Sequence, residues 1–387
     1  MGEIRLHRGK EKRVYSGHPW VFLSDIRSSA HASPGDVVSV LSDRGTFLGK
    51  AVYNPASQIA LRFLTWKDEP VDDLFIRGLV RRAVEWRRSF ADLKSCRLIF
   101  AESDGLPGVI ADAFGGVICL QVLSLGMDRF KQAICDELEE LLHPDGIYER
   151  GDVPVRRIEG LPYESGLLRG SVPEKVLMRE NGIAFHVDVI NGQKTGYFLD
   201  QKENRAAIAP YVKGKTVLDC FTHTGSFALH AAHYGALKVL GVDISDYACA
   251  CAAENAALNH LDNVTFETAN AFDFLRAASD RGDKYDVVIL DPPAFTKSRA
   301  QVEGARRGYK EINLRVMKLL EPGGILVTCS CSQHMLPDMF RDVIREAAVD
   351  ARVRLQQIEW RTQGRDHPIL LSSQETEYLK CGLFRVL

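Results

Sequence analysis

The sequence lacks the features that mark membrane, secreted and zinc-binding proteins. No apolar run reaches the about 18 residues that a membrane-spanning helix needs, and the N-terminal stretch MGEIRLHRGKEKR is charged rather than apolar. Nine cysteines occur at irregular spacing without a CxxC pair, so neither a zinc site nor a disulfide framework is indicated. The formal net charge is only −2, so any nucleic-acid partner must be met by local positive charge. We expect a cytoplasmic protein without membrane association or bound metal.

The chain has 387 residues, 45% of them hydrophobic, which is enough for two or three domains with sizeable cores. Residues 1–69 read as a small β domain, because short β-rich runs alternate with Gly, Pro, Asn and Asp. The runs are VYSGHPWVF, DVVSVLSD, TFLGKAVY and IALRFL. Basic and aromatic residues near the start suit RNA binding, and the alternative is a solvated strand with a core Trp. They are Arg5, Arg8, Lys10, Lys12, Arg13, Trp20 and Phe22.

Residues 70–184 have an α+β pattern. Helical spacing of apolar residues appears at 71–90 and 127–142, and strand-like runs lie between and after them. No catalytic combination of side chains is recognisable in this part. We therefore expect a spacer or a substrate-positioning domain.

From residue 185 to 387 strands and helices alternate. The predicted strands are 216–221, 238–244, 264–270, 285–293, 324–332, 353–360 and 377–387. Strands that are apolar on both faces and joined by helices form a parallel, doubly wound sheet, so this part is predicted to be Rossmann-like. No obvious helix precedes the last strand, which is expected to run antiparallel at the inner edge of the sheet.

Polar side chains end the first four of these strands. Asp219, Asp243, Asn270 and Asp291 occupy the ends, and Gly225 lies in the turn after the first one. Ligands of doubly wound sheets bind at the carboxyl ends of the strands, and an acidic residue after strand two holds ribose hydroxyls.

The first turn, CFTHTG, has one glycine where a pyrophosphate binder has three. A cofactor without phosphate groups needs no such turn, and S-adenosylmethionine is one. Its ammonium group favours a carboxylate such as Asp219, and its adenine amine suits the side-chain oxygen of Asn270. Alone, Asp219 also fits a helix N-cap. The ordered set predicts S-adenosylmethionine binding.

Two thiols follow near the end of strand five, Cys329 and Cys331, close to Asp291-Pro292-Pro293. Prolines cannot continue a ladder, so the chain leaves the sheet at that point. A thiolate is the nucleophile that methylation of pyrimidine C5 requires, because attack at C6 activates C5. The alternative is that these are small buried residues, which we favour for Cys249 and Cys251 on their helix.

These residues resemble a family: class I methyltransferases that make 5-methylcytosine in large-subunit ribosomal RNA and carry an N-terminal PUA domain. The resemblance covers nearly the whole chain, and its most specific motif is NGQKTGYFLDQKENR at 191–205. The other motifs are KEKRVYSGHPWVF, DCFTHTGSF, DPPAFTKS, RGYKEIN, SCS and DHP…ETEYLK. The resemblance implies that the thiol of Ser330-Cys331-Ser332 is the nucleophile. Cys329 instead matches the Thr-Cys-Ser of other RNA cytosine methyltransferases.

Two positions depart from related enzymes. Ala294 stands where many RNA cytosine methyltransferases have a second cysteine, and Asn270 replaces a more usual Asp. We expect Cys331 and Asp291 to act on the base, with Asp219, Gly225, Asp243, Asn270 and Asp291 lining the cofactor site. Phe198 or Phe295 is a candidate to stack on the base, and Lys194 to hold a phosphate or favour a thiolate.

Two rival functions remain at this point. A guanine N-methyltransferase shares the DPP-x-F pattern without needing a thiol, and a non-catalytic RNA-binding protein would keep only the fold. The partner expected in each case is RNA, for the main interpretation ribosomal RNA of the large subunit. A homodimer is also compatible with the sequence.

Overall fold

The computed structural model describes residues 2–296 and 298–387. It divides into two compact units, each made of separate stretches of chain. The N-terminal unit contains residues up to Met178 together with Val187–Leu199 and Arg365–Thr376. The C-terminal unit contains Arg179–His186, Asp200–Gly364 and Glu377–Leu387.

The first sheet of the N-terminal unit has six strands in the order β2-β6-β5-β4-β1-β3. They are β1 (Gly2–Leu6), β2 (Trp20–Val21), β3 (Ile26–Ala30), β4 (Val37–Leu41), β5 (Phe47–Tyr53) and β6 (Leu61–Thr65). Its core includes Val38 and Val40, whose alternation along β4 puts both on the buried face. The small β domain is confirmed.

One predicted strand in this sheet is wrong in its first part. Residues Glu11–Tyr15 form a short helix, α1, and only Trp20–Val21 of the run VYSGHPWVF pairs as a strand. Gly17 has φ +81°, a left-handed conformation that ends the helix after Tyr15. Of the residues in this helix, Val14 is the one that is buried.

The second sheet of the N-terminal unit has five strands in the order β11-β10-β9-β8-β7. The strands are β7 (Ser95–Phe100), β8 (Val109–Phe114), β9 (Val117–Val122), β10 (Gly146–Arg150) and β11 (Ser165–Gly170). The helices are α2 (Asp73–Arg88), α3 (Leu125–Asp128), α4 (Lys131–Leu142) and α5 (Pro154–Ile158). Asp72 caps α2 by accepting a hydrogen bond from the Phe75 amide at 2.9 Å, and the helical spacing predicted at 71–90 is confirmed.

A two-stranded sheet, β12 (Val176–Glu180) and β13 (Ile183–Val187), follows. The predicted boundary at 184/185 falls inside β13. The division into 1–69, 70–184 and 185–387 stays a proposal, because each of the two units combines separate stretches of chain.

The C-terminal unit contains a seven-stranded sheet in the order β16-β15-β14-β17-β18-β20-β19. The strands are β14 (Thr216–Cys220), β15 (Lys238–Asp243), β16 (Val264–Thr268), β17 (Tyr285–Leu290), β18 (Leu320–Ser330), β19 (Leu355–Arg361) and β20 (Lys380–Val386). The helices are α6 (Lys202–Ala207), α7 (Ala209–Val212), α8 (Ser226–His233), α9 (Asp246–Leu258), α10 (Ala271–Arg281), α11 (Val302–Leu319) and α12 (Pro337–Ala351).

The doubly wound prediction is confirmed. Strands β14 to β18 pair in parallel, and β20 pairs antiparallel with both β18 and β19. The antiparallel direction of the last strand was therefore predicted correctly, but β20 lies inside the sheet between two strands rather than at an edge. Because β14 lies between β15 and β17, the carboxyl ends of these three strands meet at one place, where such sheets bind ligands. None of the helices within 2–296 and 298–387 is long and apolar enough to span a membrane.

Candidate active site

Gly225 begins helix α8 in a conformation that only glycine adopts readily. Its φ is +83°, and a Cβ atom there would lie 3.0 Å from Cβ of Ala252 and 3.1 Å from the ring of Phe266. Both the backbone conformation and the space therefore require glycine. The single glycine of the first turn lets α8 start directly after β14, with its N-terminus at the strand ends.

Asp219 lies under the N-terminus of α8 and is fully buried. Its Oδ2 accepts hydrogen bonds from the Ala228 amide at 2.9 Å and from Oγ1 of Thr222 at 2.6 Å, so the predicted cap-like role is real. Oδ1 is also buried and has no hydrogen-bond partner within 2–296 and 298–387. Burial, together with the charges of Asp291 and Asp243, raises the pKa of Asp219 to about 7. A buried acceptor of this kind suits a cationic ligand group, and the methionine ammonium of S-adenosylmethionine fits it.

Asp243, the last residue of β15, is held by two backbone amides. Its Oδ2 accepts from the His223 amide at 2.9 Å and its Oδ1 from the Ser245 amide at 3.0 Å. Each carboxylate oxygen can accept a second hydrogen bond, so a ribose diol fits a carboxylate fixed in this way. The next residue, Ile244, is 70% exposed. This apolar residue directly follows the strand-end carboxylate, and it was not singled out from the sequence as a candidate for the cofactor site.

Asn270 caps helix α10. Its Oδ1 accepts a hydrogen bond from the Phe272 amide at 2.9 Å, and the residue is exposed. The oxygen predicted to meet the adenine amine is thus already a helix cap, although an amide oxygen has two lone pairs. The contact of Asn270 with the cofactor stays a prediction.

Asp291 directly follows β17 and is oriented by a residue of the motif 191–205. Gln201, which is buried, donates from Nε2 to Oδ1 of Asp291 at 2.8 Å. Asn204 in turn donates to Oε1 of Gln201 at 2.7 Å, which fixes the amide of Gln201. Neither Gln201 nor Asn204 was singled out from the sequence, although both lie in its most specific motif.

The two thiols near strand five are in different environments. Strand β18 ends at Ser330, so Cys329 lies within the strand and is fully buried, and burial raises its pKa well above the usual value. Cys331 lies beyond the strand end, is only partly buried, and its Sγ is 3.8 Å from the carbonyl oxygen of Pro292. Of the pair, Cys331 is therefore the thiol that lies beside the Asp291-Pro292 segment and is accessible.

Tyr309 of α11 connects the two serines that flank Cys331. The hydroxyl of Ser330 donates to the Tyr309 hydroxyl at 3.0 Å, and the Tyr309 hydroxyl lies 2.9 Å from Oγ of Ser332. Burial raises the pKa of Tyr309 to about 12, so its hydroxyl stays protonated. The motif RGYKEIN contains this tyrosine, but its role was not evident from the sequence.

Lys380, the first residue of β20, is also buried beside this segment. Its Nζ donates to the carbonyl oxygens of Ser332 and Tyr378, both at 2.8 Å. Burial lowers the pKa of Lys380 to about 8, against the opposing influence of Cys331 and Glu377. The motif ETEYLK contains Lys380, but the role of this residue was not evident from the sequence.

The remaining candidates are Phe295, Lys194 and Phe198. Phe295 packs against Tyr309 with ring centroids 4.5 Å apart, in a cluster that also contains Phe221 and Phe272. Lys194 and Phe198 belong to the N-terminal unit, where Nζ of Lys194 lies 4.7 Å from the centre of the Phe198 ring. Stacking of Phe198 or Phe295 on a base and phosphate binding by Lys194 stay predictions.

Comparison with known protein families identifies two parts of the chain. Residues 4–66 match a PUA-like domain, and residues 156–365 match an S-adenosylmethionine-dependent methyltransferase family. Ribosomal RNA large subunit methyltransferase I of Shewanella frigidimarina is 43% identical over 99% of both chains. The protein of the same name from Salmonella arizonae is 42% identical over 99% of this chain and 97% of its own length.

Solved structures share the fold over the full length. A putative methyltransferase crystallised with SAH matches with a TM-score of 0.86, 22% identity and 100% coverage of both chains. A putative SAM-dependent methyltransferase from Streptococcus mutans matches with a TM-score of 0.84, 23% identity and the same coverage. The N-terminal sheet is thus a PUA-like domain and the seven-stranded sheet has the Rossmann-like methyltransferase fold. The chain belongs to the family of S-adenosylmethionine-dependent methyltransferases, and S-adenosylmethionine is its cofactor.

Proposed function

We propose that this protein methylates C5 of a cytosine in large-subunit ribosomal RNA, with Cys331 as the nucleophile. The position of Cys331 carries the proposal, since its partly accessible Sγ lies at the strand ends, 3.8 Å from the Pro292 carbonyl and next to Asp291. The substrate class is supported by the relatives named ribosomal RNA large subunit methyltransferase I, which are 42–43% identical over 99% of this chain.

The chemistry explains why a thiol is needed. C5 of cytosine is a weak nucleophile, so the Cys331 thiolate first forms a bond to C6 and the electrons of the C5–C6 double bond move to C5. S-adenosylmethionine supplies an electrophilic methyl group. The bond between this methyl group and the sulfonium sulfur would break as the methyl group bonds to C5, so that S-adenosylhomocysteine leaves. A base then removes the C5 proton, and the electrons left at C5 restore the double bond as the C6–sulfur bond breaks. The thiolate is regenerated, and the target base must leave its stack to reach it.

Asp291 binds the edge of the cytosine in this proposal. In its ionised form the carboxyl group accepts a hydrogen bond from the exocyclic amine, and in its protonated form it donates to ring nitrogen N3, which stabilises the ring as negative charge moves into it. Gln201 holds the orientation of Asp291 through the 2.8 Å hydrogen bond, and the two prolines stiffen the chain directly after it.

The cofactor contacts follow from the polar groups at the neighbouring strand ends. Asp219 offers its buried Oδ1 to the ammonium group, and Asp243 holds the ribose hydroxyls. Asn270 and the exposed Ile244 flank the adenine ring. Gly225 acts through the backbone, by allowing α8 to begin where the cofactor approaches.

Covalent trapping tests the proposal. Ribosomal RNA that carries 5-fluorocytosine has no removable C5 proton, so the methylated adduct should stay bonded to the protein. We expect the adduct on wild-type protein and on Cys329→Ala, its loss in Cys331→Ala, and its location on Cys331 by peptide mapping. Cys329→Ala is the matched control, because it removes a thiol two residues away that is buried.

Other outcomes would contradict parts of the proposal. An adduct that depends on Cys329 would keep the mechanism but assign the wrong nucleophile. If methylation of the RNA survives in both variants, the cytosine-5 reaction is wrong. Nucleoside analysis that then finds methylguanine would make the protein a guanine N-methyltransferase.

A further inference from the structure

Lys380 is placed beside the nucleophile by the pairing of two strands. In the antiparallel register of β18 and β20, Lys380 lies opposite Ser330, the residue before Cys331. Only 2% of Lys380 is exposed, and its Nζ donates to the carbonyl oxygen of Ser332, the residue after Cys331. The ammonium group therefore contacts the backbone of the short segment that carries the thiol.

Within the described residues, no carboxylate accepts a hydrogen bond from this ammonium group, and burying a charge is unfavourable unless an opposite charge compensates it. Within the described residues, the hydrogen bonds of Nζ go to two neutral carbonyl groups, those of Ser332 and Tyr378. A neutral donor would satisfy these carbonyls without the penalty of a buried cation. The two groups whose negative charge acts on Lys380 are Cys331 and then Glu377.

We propose that Lys380 is a positioning residue that fixes the Ser332 carbonyl and favours the thiolate form of Cys331. This inference rests on the role of Cys331 proposed above. The attraction is mutual, because an ammonium group close to a thiol lowers the free energy of the thiolate. The reaction gains a larger thiolate fraction at neutral pH.

Three other titratable groups belong to the elements around Lys380. Tyr309, from α11, meets Ser332 through its protonated hydroxyl. Arg361, at the end of β19, donates to Glu359 at 2.8 Å. Glu377 precedes β20 and adds a second negative charge near Lys380. Cys331 is thus the acidic group among these that becomes charged during the proposed reaction.

Alkylation of Cys331 by iodoacetamide tests this coupling without RNA. The rate is followed on the Cys331 peptide by mass spectrometry between pH 6 and 10, in the full-length wild type, Lys380→Met and Lys380→Arg. We expect Lys380→Met to react about tenfold more slowly at pH 7 and its rate profile to move about one unit to higher pH. Lys380→Arg should restore most of the rate. Cys251 on α9, which is partly buried, is the internal control and should react equally in all three proteins.

Superimposable profiles for wild type and Lys380→Met would overturn the inference. If Lys380→Met fails to fold, the same coupling is measured on Lys380 itself, by NMR of ¹³C-labelled lysine in the wild type and in Cys331→Ser. Removal of the thiol should lower the titration midpoint of Lys380, and an unchanged midpoint would equally overturn it. Both measurements are independent of methylation, so they separate a wrong role for Lys380 from a wrong function for Cys331.

Discussion

The hydroxyl group of Tyr309 lies 2.9 Å from Oγ of Ser332, and both side chains are buried. A second hydrogen bond, donated by Ser330, reaches the same hydroxyl at 3.0 Å. The two serines on either side of Cys331 are thus held by one side chain of another element. The neighbours of Cys331 are therefore held on both sides by hydrogen bonds within the folded protein.

Tyr309→Phe should weaken both stability and methyl transfer. The change removes the Tyr309 hydrogen bonds of two buried serine hydroxyls, of which Ser332 keeps the one from the Thr296 amide, and lowers the free energy of unfolding by about 1–3 kcal/mol. We expect methylation to slow about tenfold at unchanged cofactor affinity, because a misplaced nucleophile affects the reaction rather than binding. Urea denaturation, calorimetry and methylation assays measure the three quantities. Tyr211→Phe, which removes a partly exposed hydroxyl 3.3 Å from Glu359, is the control and should change stability by less than about 0.5 kcal/mol.

Asp243→Ala should lower the affinity for S-adenosylmethionine at least about tenfold, since a fixed carboxylate that accepts two ribose hydroxyls contributes charge-assisted hydrogen bonds. Isothermal calorimetry measures the change directly. Asp246→Ala, three residues later and exposed on the first turn of α9, is the matched control and should leave the affinity unchanged. Equal affinity for Asp243→Ala and wild type would remove Asp243 from the cofactor site.

Asp219 should make the stability of the ligand-free protein depend on pH. Its pKa is raised to about 7 in the folded protein, above the usual 3.8, so the folded state binds a proton that the unfolded state has lost between these values. The contribution to stability is complete below about pH 4 and is lost as the pH rises through about 7. In Asp219→Asn this decline should be smaller, as measured by urea denaturation at pH 5, 6 and 7. The same variant should bind S-adenosylmethionine more weakly, and a variant with the wild-type pH dependence and affinity would contradict the assignment.

The N-terminal basic residues should contribute RNA affinity through their exposed members. Lys10 pairs with Asp25 and Arg13 with Glu375, whereas Arg8 and Lys12 are exposed. Charge reversal of Arg8 and Lys12 to Glu should weaken binding of ribosomal RNA and reduce the salt dependence by about one unit of slope for each lost phosphate contact. Cofactor affinity should stay the same. The control Lys213→Glu, exposed in the C-terminal unit, should leave RNA binding closer to wild type; equal effects of both changes would argue against a specific role of the N-terminal residues.

Trp20 shows how an aromatic residue in a basic region can be structural. Its indole NH donates to Glu102 at 2.8 Å, and the guanidinium of Arg62 lies 5.7 Å from its ring centre. These contacts agree with the alternative interpretation, in which Trp20 is a packed structural residue. Sequence alone does not distinguish the two roles, because the partners Arg62 and Glu102 are 42 and 82 residues away.

The strand ends of the active site were predictable because local patterns determine them. Asp219, Asp243 and Asp291 each follow a short apolar run, and such runs between helices define parallel strands whose carboxyl ends meet. Gly225 was recognisable from the strand-turn-helix pattern, and the conformation of its backbone explains why glycine is present.

The groups that hold Asp291 and the segment around Cys331 were not predictable in the same way. Gln201, Tyr309 and Lys380 lie far apart in the chain, in a 3-10 helix, an α-helix and a strand, and only tertiary pairing brings them together. The position of β20 between β18 and β19 decides where Lys380 points, and no periodicity in its own residues indicates this. The distinction between Cys329 and Cys331 likewise depends on where β18 ends, a boundary that sequence patterns fix only to within a few residues.

The stretch Arg365–Thr376, between β19 and β20, belongs to the N-terminal unit, where Asp366 accepts a hydrogen bond from the Arg97 amide at 2.8 Å. During synthesis the ribosome therefore delivers most of the N-terminal unit more than 160 residues before its final piece. That unit begins folding first but cannot finish until β19 has also emerged, and β19 in turn has no strand partner until β20 arrives. A chain that ends after β19 would lack parts of both units. We therefore expect such a fragment to be unstable and to be degraded by cellular proteases.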